Sequence, residues 1–321
     1  MIIVTGGAGF IGSNLVHALC RRGEPVTVVD DLHDGRKFAN IVDADIARYL
    51  DMDDFYARLE LDAGVLDGVR AVFHQGACSD TTQWDGRFML RVNYEYSVRL
   101  LAACSAHGIP LIYASSAAVY GAGRRFQEAR ECERPVNLYG YSKHLFDRLV
   151  LRGAADRGAQ VAGLRYFNVY GPREEHKARM ASVALHLHRQ IESSGEARLF
   201  QGTHGYGDGD QRRDFVHVDD VVAVNLWLLD NPQVHGIFNV GTGRSRSFND
   251  VAAAVIDWHG RGSIRYVPFP EDLRGRYQAF TEADLTALRA AGYEGAFLDV
   301  AQGVARYLDW LRDEEQRGHN A

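Results

Sequence analysis

A phenol and an amine stand four residues apart in Tyr139-Gly140-Tyr141-Ser142-Lys143, with the hydroxyls of Ser115 and Ser116 upstream. Residues four apart share a helix face, so Tyr139 and Lys143 can enter one pocket. A free phenol titrates near ~10 and is a poor base at neutral pH. A neighbouring ammonium favours the phenolate, and Lys143 is therefore expected to bring Tyr139 towards useful proton transfer. The spacing alone also fits an exposed helix face. Its weight comes from the elements that would position it.

The chain opens with the β-branched run Ile2-Ile3-Val4-Thr5, passes through Gly6-Gly7-Ala8-Gly9-Phe10-Ile11-Gly12, and leaves by an amphipathic segment (Ile11, Leu15, Val16, Leu19). Gly7, Gly9 and Gly12 fit G-x-G-x-x-G, and Gly6 completes a G-x-x-G-x-x-G. Such glycines permit a tight turn, close approach of a pyrophosphate and close helix-to-strand packing. The helix N-terminus then offers unpaired N–H groups to phosphate. A second strand-like run, Val26-Thr27-Val28-Val29, ends at Asp30, where a carboxylate is placed to hold ribose hydroxyls.

The 321 residues suffice for one large domain or two packed closely together. An apolar share of 46%, a charged share of 24% and a net charge of −6 describe a soluble globular protein and argue against nucleic acid as a partner. No apolar run approaches the ~20 residues of a transmembrane helix, and no secretory leader is expected. Cys20, Cys78, Cys104 and Cys132 lack metal spacing, so they are expected to be reduced thiols in a cytoplasmic protein with no metal. Cys78 could line a cofactor cleft or simply pack as a small apolar residue. Strand-like runs at 2–5, 26–29, 71–74, 111–114 and 161–166 alternate with helical patterns, notably 92–107 and 141–155. This predicts an α/β chain, a Rossmann-type doubly wound parallel sheet with ligand at the carboxyl ends of its strands. Beyond Gly171-Pro172 the alternation loosens, while 214–229 and 237–240 still fit the sheet pattern. Residues 1–170 plus about 213–243 are therefore expected to bind dinucleotide, and 171–212 plus about 244–321 to form a smaller, discontinuous α/β substrate domain. The glycine- and aspartate-rich stretch 202–210 is expected to be a mobile surface loop.

Together with the glycine cluster, Asp30 and Tyr139-x-x-x-Lys143, three further runs carry a family resemblance. They are Ala114-Ser115-Ser116-Ala117-Ala118-Val119-Tyr120-Gly121, Arg165-Tyr166-Phe167-Asn168-Val169-Tyr170-Gly171-Pro172-Arg173 and Arg213-Asp214-Phe215-Val216-His217-Val218-Asp219-Asp220. In this order they resemble the extended short-chain dehydrogenase/reductase superfamily. The stretches 73–86, 172–184 and 275–281 are similar, within it, to the epimerases that act at C6 of ADP-glycero-manno-heptose. The resemblance implies transient oxidation of the heptose by a bound nicotinamide cofactor, in the service of the lipopolysaccharide inner core. It also implies a homo-oligomer, with a pentameric ring as the family's suggestion.

On this resemblance Tyr139 takes a proton-transfer role at the C6 oxygen and Ser116 hydrogen-bonds the same oxygen. Lys143 holds the nicotinamide ribose, and Lys177 serves as the second acid/base. Without the resemblance Lys177 reads as a solvated surface lysine. Cofactor contacts are expected at Gly6, Gly7, Gly9, Phe10, Ile11, Gly12, Asp30, Asp31, Lys37, Gln75, Gly76, Ala77, Cys78, Ser79, Asn93, Tyr139, Lys143 and Val169. Asn168, His186, Phe200, Gln201, Gly202, Thr203 and Tyr277 match substrate-side positions, although His186 equally fits a helix surface. Arg213, Arg173 and Lys177 are candidates for the diphosphate by charge. Arg179 stands near the substrate where the family more usually has a small residue, and the 202–211 loop is longer than usual. Phe167 and Met180 read as core. Asp30 by itself favours NAD, because a carboxylate repels a 2′-phosphate. Arg36 and Lys37 follow it, however, and the resembling epimerases carry a lysine at Lys37 and use NADP, which is the expected cofactor. A UDP-hexose 4-epimerase and a non-catalytic dinucleotide sensor are the alternatives. A dehydratase fits less well, since Ala117-Ala118 stand where such enzymes carry Asp-Glu.

Overall fold

The computed structural model describes residues 1–61, 64–153, 158–271 and 277–319. The first half contributes strands β1 (Ile2–Thr5), β2 (Val26–Asp30), β3 (Arg48–Asp51), β4 (Ala71–His74), β5 (Leu111–Ser116) and β6 (Val161–Tyr166). Shorter strands follow: β7 (Asn168–Tyr170), β8 (Glu196–Phe200), β9 (Arg212–Arg213), β10 (Phe215–His217), β11 (Gly236–Val240), β12 (Arg246–Ser247) and β13 (Ser263–Val267). The helices are α1 (Phe10–Arg21), α2 (Met52–Glu60), α3 (Gly86–Leu90), α4 (Tyr96–Ala106), α5 (Leu138–Arg152), α6 (Val183–Ser194), α7 (Val218–Asp230), α8 (Phe248–His259), α9 (Thr286–Ala290) and α10 (Val300–His319).

Seven strands form one sheet in the order β11-β6-β5-β4-β1-β2-β3, parallel throughout. Every residue of β1, β2 and β4 is buried, as the near-continuous apolar runs of a sheet covered on both faces require. Leu15, Val16 and Leu19 of α1 pack with Val221, Val224 and Leu228 of α7 on one face. Phe55 of α2, Leu100 and Leu101 of α4, and Phe146 and Val150 of α5 cover the other. The chain is the doubly wound α/β fold that its alternation predicts.

A third core joins α6, α8 and α10 through Leu185, Ile191, Val251, Val255, Val304 and Leu308. Its residues come from both sides of the 213–243 stretch, and β8 pairs in parallel with β13 across the same divide. No helix among the described residues is long and apolar enough to cross a membrane.

Local structure departs from the periodicity in three places. The expected helix at 141–155 begins at Leu138, because the Asn137 side chain caps it by accepting from Gly140 N at 2.8 Å. The expected helix at 92–107 is preceded by α3 and interrupted by a π-helical turn at Arg91–Glu95. Strand β3 buries only Leu50 of its four residues, so this sheet edge has too little apolar alternation to be read in advance.

Candidate active site

The strand order reverses at β1, between β2 on one side and β4 on the other, and a crevice of about 720 Å³ opens beyond the carboxyl ends of these strands. Gly6 sits at φ 65°, and a Cβ there would lie 2.6 Å from Gly76 Cα. A Cβ on Gly12 would fall 2.0 Å from Gly6 O. Only bare backbone fits this close approach. Gly9 precedes α1 as its N-cap and offers no side-chain cap, and no acidic residue follows in the first turn, which leaves the helix N-terminus open to phosphate. These features fit a dinucleotide.

Of the expected cofactor contacts, all but two line the crevice. Gly7 lies behind it, where a Cβ would meet Val4 O at 2.9 Å and Val28 at 3.0 Å. Asn93 is buried, and its amide donates to Cys78 O (2.9 Å) and Ser142 Oγ (3.1 Å) while accepting from Cys78 N (2.8 Å). Asn93 does not line the crevice, and its bonds tie the loop after β4 to α5. Phe167, read as core, is buried with Tyr120 and Phe126 and also reaches the crevice, whereas Met180, read as core, is half-buried in the crevice wall. His176 lines it too, and its Nδ1 lies 3.1 Å from Asn40 Nδ2.

The Asp30 carboxylate is already engaged at both oxygens. It accepts from Ala8 N (2.9 Å), Asp31 N (2.9 Å) and Lys37 Nζ (2.5 Å), and Lys37 also reaches Asp31 Oδ1 at 2.5 Å. Burial pulls the Lys37 ammonium down, but its bonds to Asp30 and Asp31 outweigh this and the net shift is upward. Arg36, the other cation considered for a 2′-phosphate, is spent on Asp34 through bonds of 2.9 and 2.6 Å.

Ser116, Tyr139 and Lys143 also line the crevice, with the Ser116 hydroxyl bonded to Tyr139. Lys143 is buried and donates to Ala114 O at 2.8 Å. Burial lowers its ammonium to about 8, against the raising charges of Asp147 and Cys78. The expected activation of Tyr139 by Lys143 is not what the chain produces. Burial raises the phenol, the Ser116 hydroxyl acts against that rise, and Cys78 adds to it.

Lys177 reaches the same crevice from a different segment. Its ammonium lies 5.0 Å from the centre of the Phe10 ring, so it is not the solvated lysine that the sequence alone suggests. Burial lowers its pKa and the Glu174 carboxylate opposes the shift. Glu174 is itself fully buried and anchors the segment by accepting from Ser182 N and Oγ, each at 2.6 Å. The backbone around Lys177 is strained, with Arg173 at φ 69° and Ala178 at φ 48°, ψ −118°. Arg173 faces Trp310 (5.4 Å) and Asp43 (3.7 Å) and does not line the crevice.

The remaining substrate-side candidates stand outside this crevice. Arg213 is buried with its guanidinium 4.8 Å from the Tyr277 ring and 5.8 Å from that of Phe248. Among the described residues no carboxylate pairs with it, and burial lowers its pKa. Phe200 and Tyr277 both stack edge-on against Phe269, so these residues form one aromatic group. Asn168 is exposed beside them, accepting from Thr281 Oγ1 at 3.3 Å. The 202–210 loop, expected to be mobile, is pinned: Gly202 N donates to Asp208 (2.7 Å), and Asn249 donates to Asp208 O (2.8 Å) and Asp210 (2.9 Å). Gln201 O accepts from Gln211 at 3.1 Å, and Thr203 stands at the start of the same loop. Arg179 is exposed and turned to Thr82 (2.9 Å) and Asp80 (3.6 Å). His186 is half-buried on α6 and does not line the crevice. Gly275 and Arg276, part of the 275–281 resemblance, lie outside the described residues. A separate cavity of about 350 Å³, containing Arg244, Arg246 and Arg289, shares no residue with the crevice.

Sequence reasoning missed Asp147, a fully buried carboxylate four residues beyond Lys143 on the same helix face. It also left unused a compositional signal. The chain has only three lysines among its 36 Lys and Arg, and all three (Lys37, Lys143 and Lys177) line this crevice. Arginine serves wherever a permanent cation suffices, whereas lysine supplies a compact point charge that can lose its proton.

Residues 2–241 match the NAD dependent epimerase/dehydratase family. The chain is 60% identical over 314 residues to an ADP-L-glycero-D-manno-heptose-6-epimerase of Alkalilimnicola ehrlichii, with 98% of each chain covered. It is 55% identical over 326 residues to the enzyme of that name from Thiobacillus denitrificans, covering 96% of this chain and 98% of the relative. Its fold is similar to the crystal structure of the Helicobacter pylori ADP-L-glycero-D-manno-heptose-6-epimerase, with a TM-score of 0.84 and 31% identity over 97% and 96% of the two chains.

Proposed function

The chain belongs to the NAD dependent epimerase/dehydratase family, and from that premise we propose that it interconverts ADP-D-glycero- and ADP-L-glycero-D-manno-heptose at C6. The observation that carries this reading is that two kinds of proton-transfer group from unrelated segments line one crevice: Tyr139 with Ser116, and Lys177 beside the Phe10 ring. Inverting an unactivated sugar carbon requires hydride to leave one face and return to the other. A bound nicotinamide dinucleotide supplies that hydride chemistry. The chain supplies the rest. Tyr139 and Ser116 address the C6 oxygen in one presentation of the sugar, and Lys177 addresses it in the other. Lys177 suits this role because burial lowers its pKa towards the working range.

NADP is the cofactor in this reading. The support is Lys37, which is drawn between two carboxylates and can turn to a 2′-phosphate. Gly6, Gly9 and Gly12 would hold the pyrophosphate, and Lys143 the nicotinamide ribose. The buried Arg213, set among aromatic rings, suits the diphosphate of the sugar nucleotide, with Asn168 and Tyr277 beside it. A division into 1–170 plus about 213–243 for the dinucleotide and the rest for the substrate is part of the proposal. So are assembly as a homo-oligomer and a cytoplasmic role in supplying the lipopolysaccharide inner core. The four free cysteines suit a reducing compartment.

The test is to incubate the purified protein with ADP-D-glycero-D-manno-heptose, without added cofactor, and follow the C6 configuration by NMR. Appearance of both epimers is expected. No conversion by protein with its dinucleotide bound, alongside turnover of UDP-galactose, would move the assignment to C4 epimerisation.

A further inference from the structure

Behind the catalytic wall lies a buried charge group that the reaction as described does not use. Tyr139, Lys143 and Asp147 follow one another at four-residue intervals down one face of α5, and each is held to β5 or its end. The Ser116 hydroxyl acts on Tyr139, Ala114 O accepts from Lys143 Nζ (2.8 Å), and Asp147 accepts from Tyr113 OH (2.9 Å) and Ser115 Oγ (2.9 Å). Asp147 also accepts from Arg165 Nε at 2.9 Å, and Arg165 NH2 donates to Glu133 at 2.5 Å. Arg165 and Asp147 are 0% exposed and Glu133 is 5% exposed. The second Glu133 oxygen faces His144 Nδ1 at 3.4 Å, where burial lowers the imidazole's pKa and the Glu133 carboxylate opposes the shift.

Glu133, Arg165 and Asp147 sum to one net negative charge in a region closed to solvent. A buried charge persists only when paired. The other groups facing Lys143 are Tyr139 on α5, His74 on β4 and Cys78 in the following loop. None is a cation at neutral pH: His74 is held at about 3 by burial and by Lys143 itself. Arg130 stands at the Glu133 end of the group, where it donates to Glu133 O at 3.1 Å, and Lys143 is the positive charge that Asp147 acts on at the other.

We propose that Glu133 and Asp147 are positioning residues for the epimerisation: Glu133 neutralises Arg165, which leaves the Asp147 carboxylate to keep Lys143 protonated and to hold Ser115 in register beside Ser116. The role assigned to the Lys143 charge rests on the reading given under the proposed function. Its protonation state does not.

Because the chain has three lysines, protein carrying [6-13C]lysine gives three Cε resonances, assigned with Lys37→Arg and Lys143→Arg variants. The titration needs no substrate, so it is independent of which sugar nucleotide is used. In Asp147→Asn the Lys143 midpoint is expected to fall by about one unit or more relative to the natural protein. In Glu133→Gln it falls by less, and Lys177 does not move in either. A folded Asp147→Asn protein with an unchanged Lys143 midpoint overturns the proposal, and so does a shift shared equally by Lys177. Should Asp147→Asn not fold, Glu133→Gln decides: a fall confined to Lys143 supports the proposal and no fall rejects it. In activity assays, a downward move of the pH limb of kcat with KM unchanged separates this role from a merely structural one.

Discussion

Lys177 holds its ammonium 5.0 Å from the centre of the Phe10 ring, although the two residues are far apart in the chain. Phe10 is the first residue of α1, immediately after the glycine turn. The contact brings the strained 171–182 segment onto the dinucleotide crevice. It brings an amine to the crevice that Tyr139 also lines, and a two-faced proton-transfer reaction needs a second such group.

Tyr139→Phe and Lys177→Met are each expected to lower the rate of C6 epimerisation by about 100-fold or more, the usual contribution of a positioned acid or base. Bound dinucleotide and thermal stability should stay near those of the natural protein. Near-normal turnover in either variant, followed by NMR, would remove that residue from the chemistry.

Lys37→Ala frees the Asp30 and Asp31 carboxylates, which then repel a 2′-phosphate. The variant is expected to lose preference for NADP over NAD by about 10-fold or more, as for a lost charge-assisted bond. Titration of both dinucleotides by fluorescence measures this, and an unaltered ratio would contradict the role of Lys37.

Arg213→Met removes a buried cation that has no carboxylate partner among the described residues. Its KM for the sugar nucleotide should rise by about 10-fold or more while kcat and dinucleotide binding hold. The midpoint of thermal unfolding should rise as well, since apolar replacement of an uncompensated buried charge relieves desolvation. A lower midpoint with unchanged KM would mark Arg213 as structural.

His74 lies between Thr5 Oγ1 (2.6 Å) and Ser97 Oγ (2.8 Å), and burial lowers its pKa from 6.5 to about 3. Between those values the unfolded chain binds a proton that the folded chain refuses, so stability falls as the pH falls. One proton is worth about 1.4 kcal/mol per pH unit. His74→Gln should make the acid limb of stability shallower by about that slope between pH 6 and 4. Superimposable limbs in urea unfolding would show that His74 does not contribute.

The sheet and the first half of the site were legible because their signals are local. Hydrophobic runs mark β1, β2, β4, β5 and β6, and the glycine turn announces its ligand through backbone geometry that only glycine allows. Tyr139 and Lys143 are read from helical spacing, and the scarcity of lysine singles out Lys37, Lys143 and Lys177 before any fold is known. The tertiary structure alone decided the rest. It spent Asn93 on the loop after β4, turned Arg179 to Asp80, pinned the 202–210 loop through Asn249, and raised the Tyr139 phenol where charge alone would lower it. It also assembled Glu133 from a loop, Arg165 from β6 and Asp147 from α5 into one buried group. Spacing along a chain reports which residues can share a face. Burial and partners across the fold set their charge, and neither is written in local sequence.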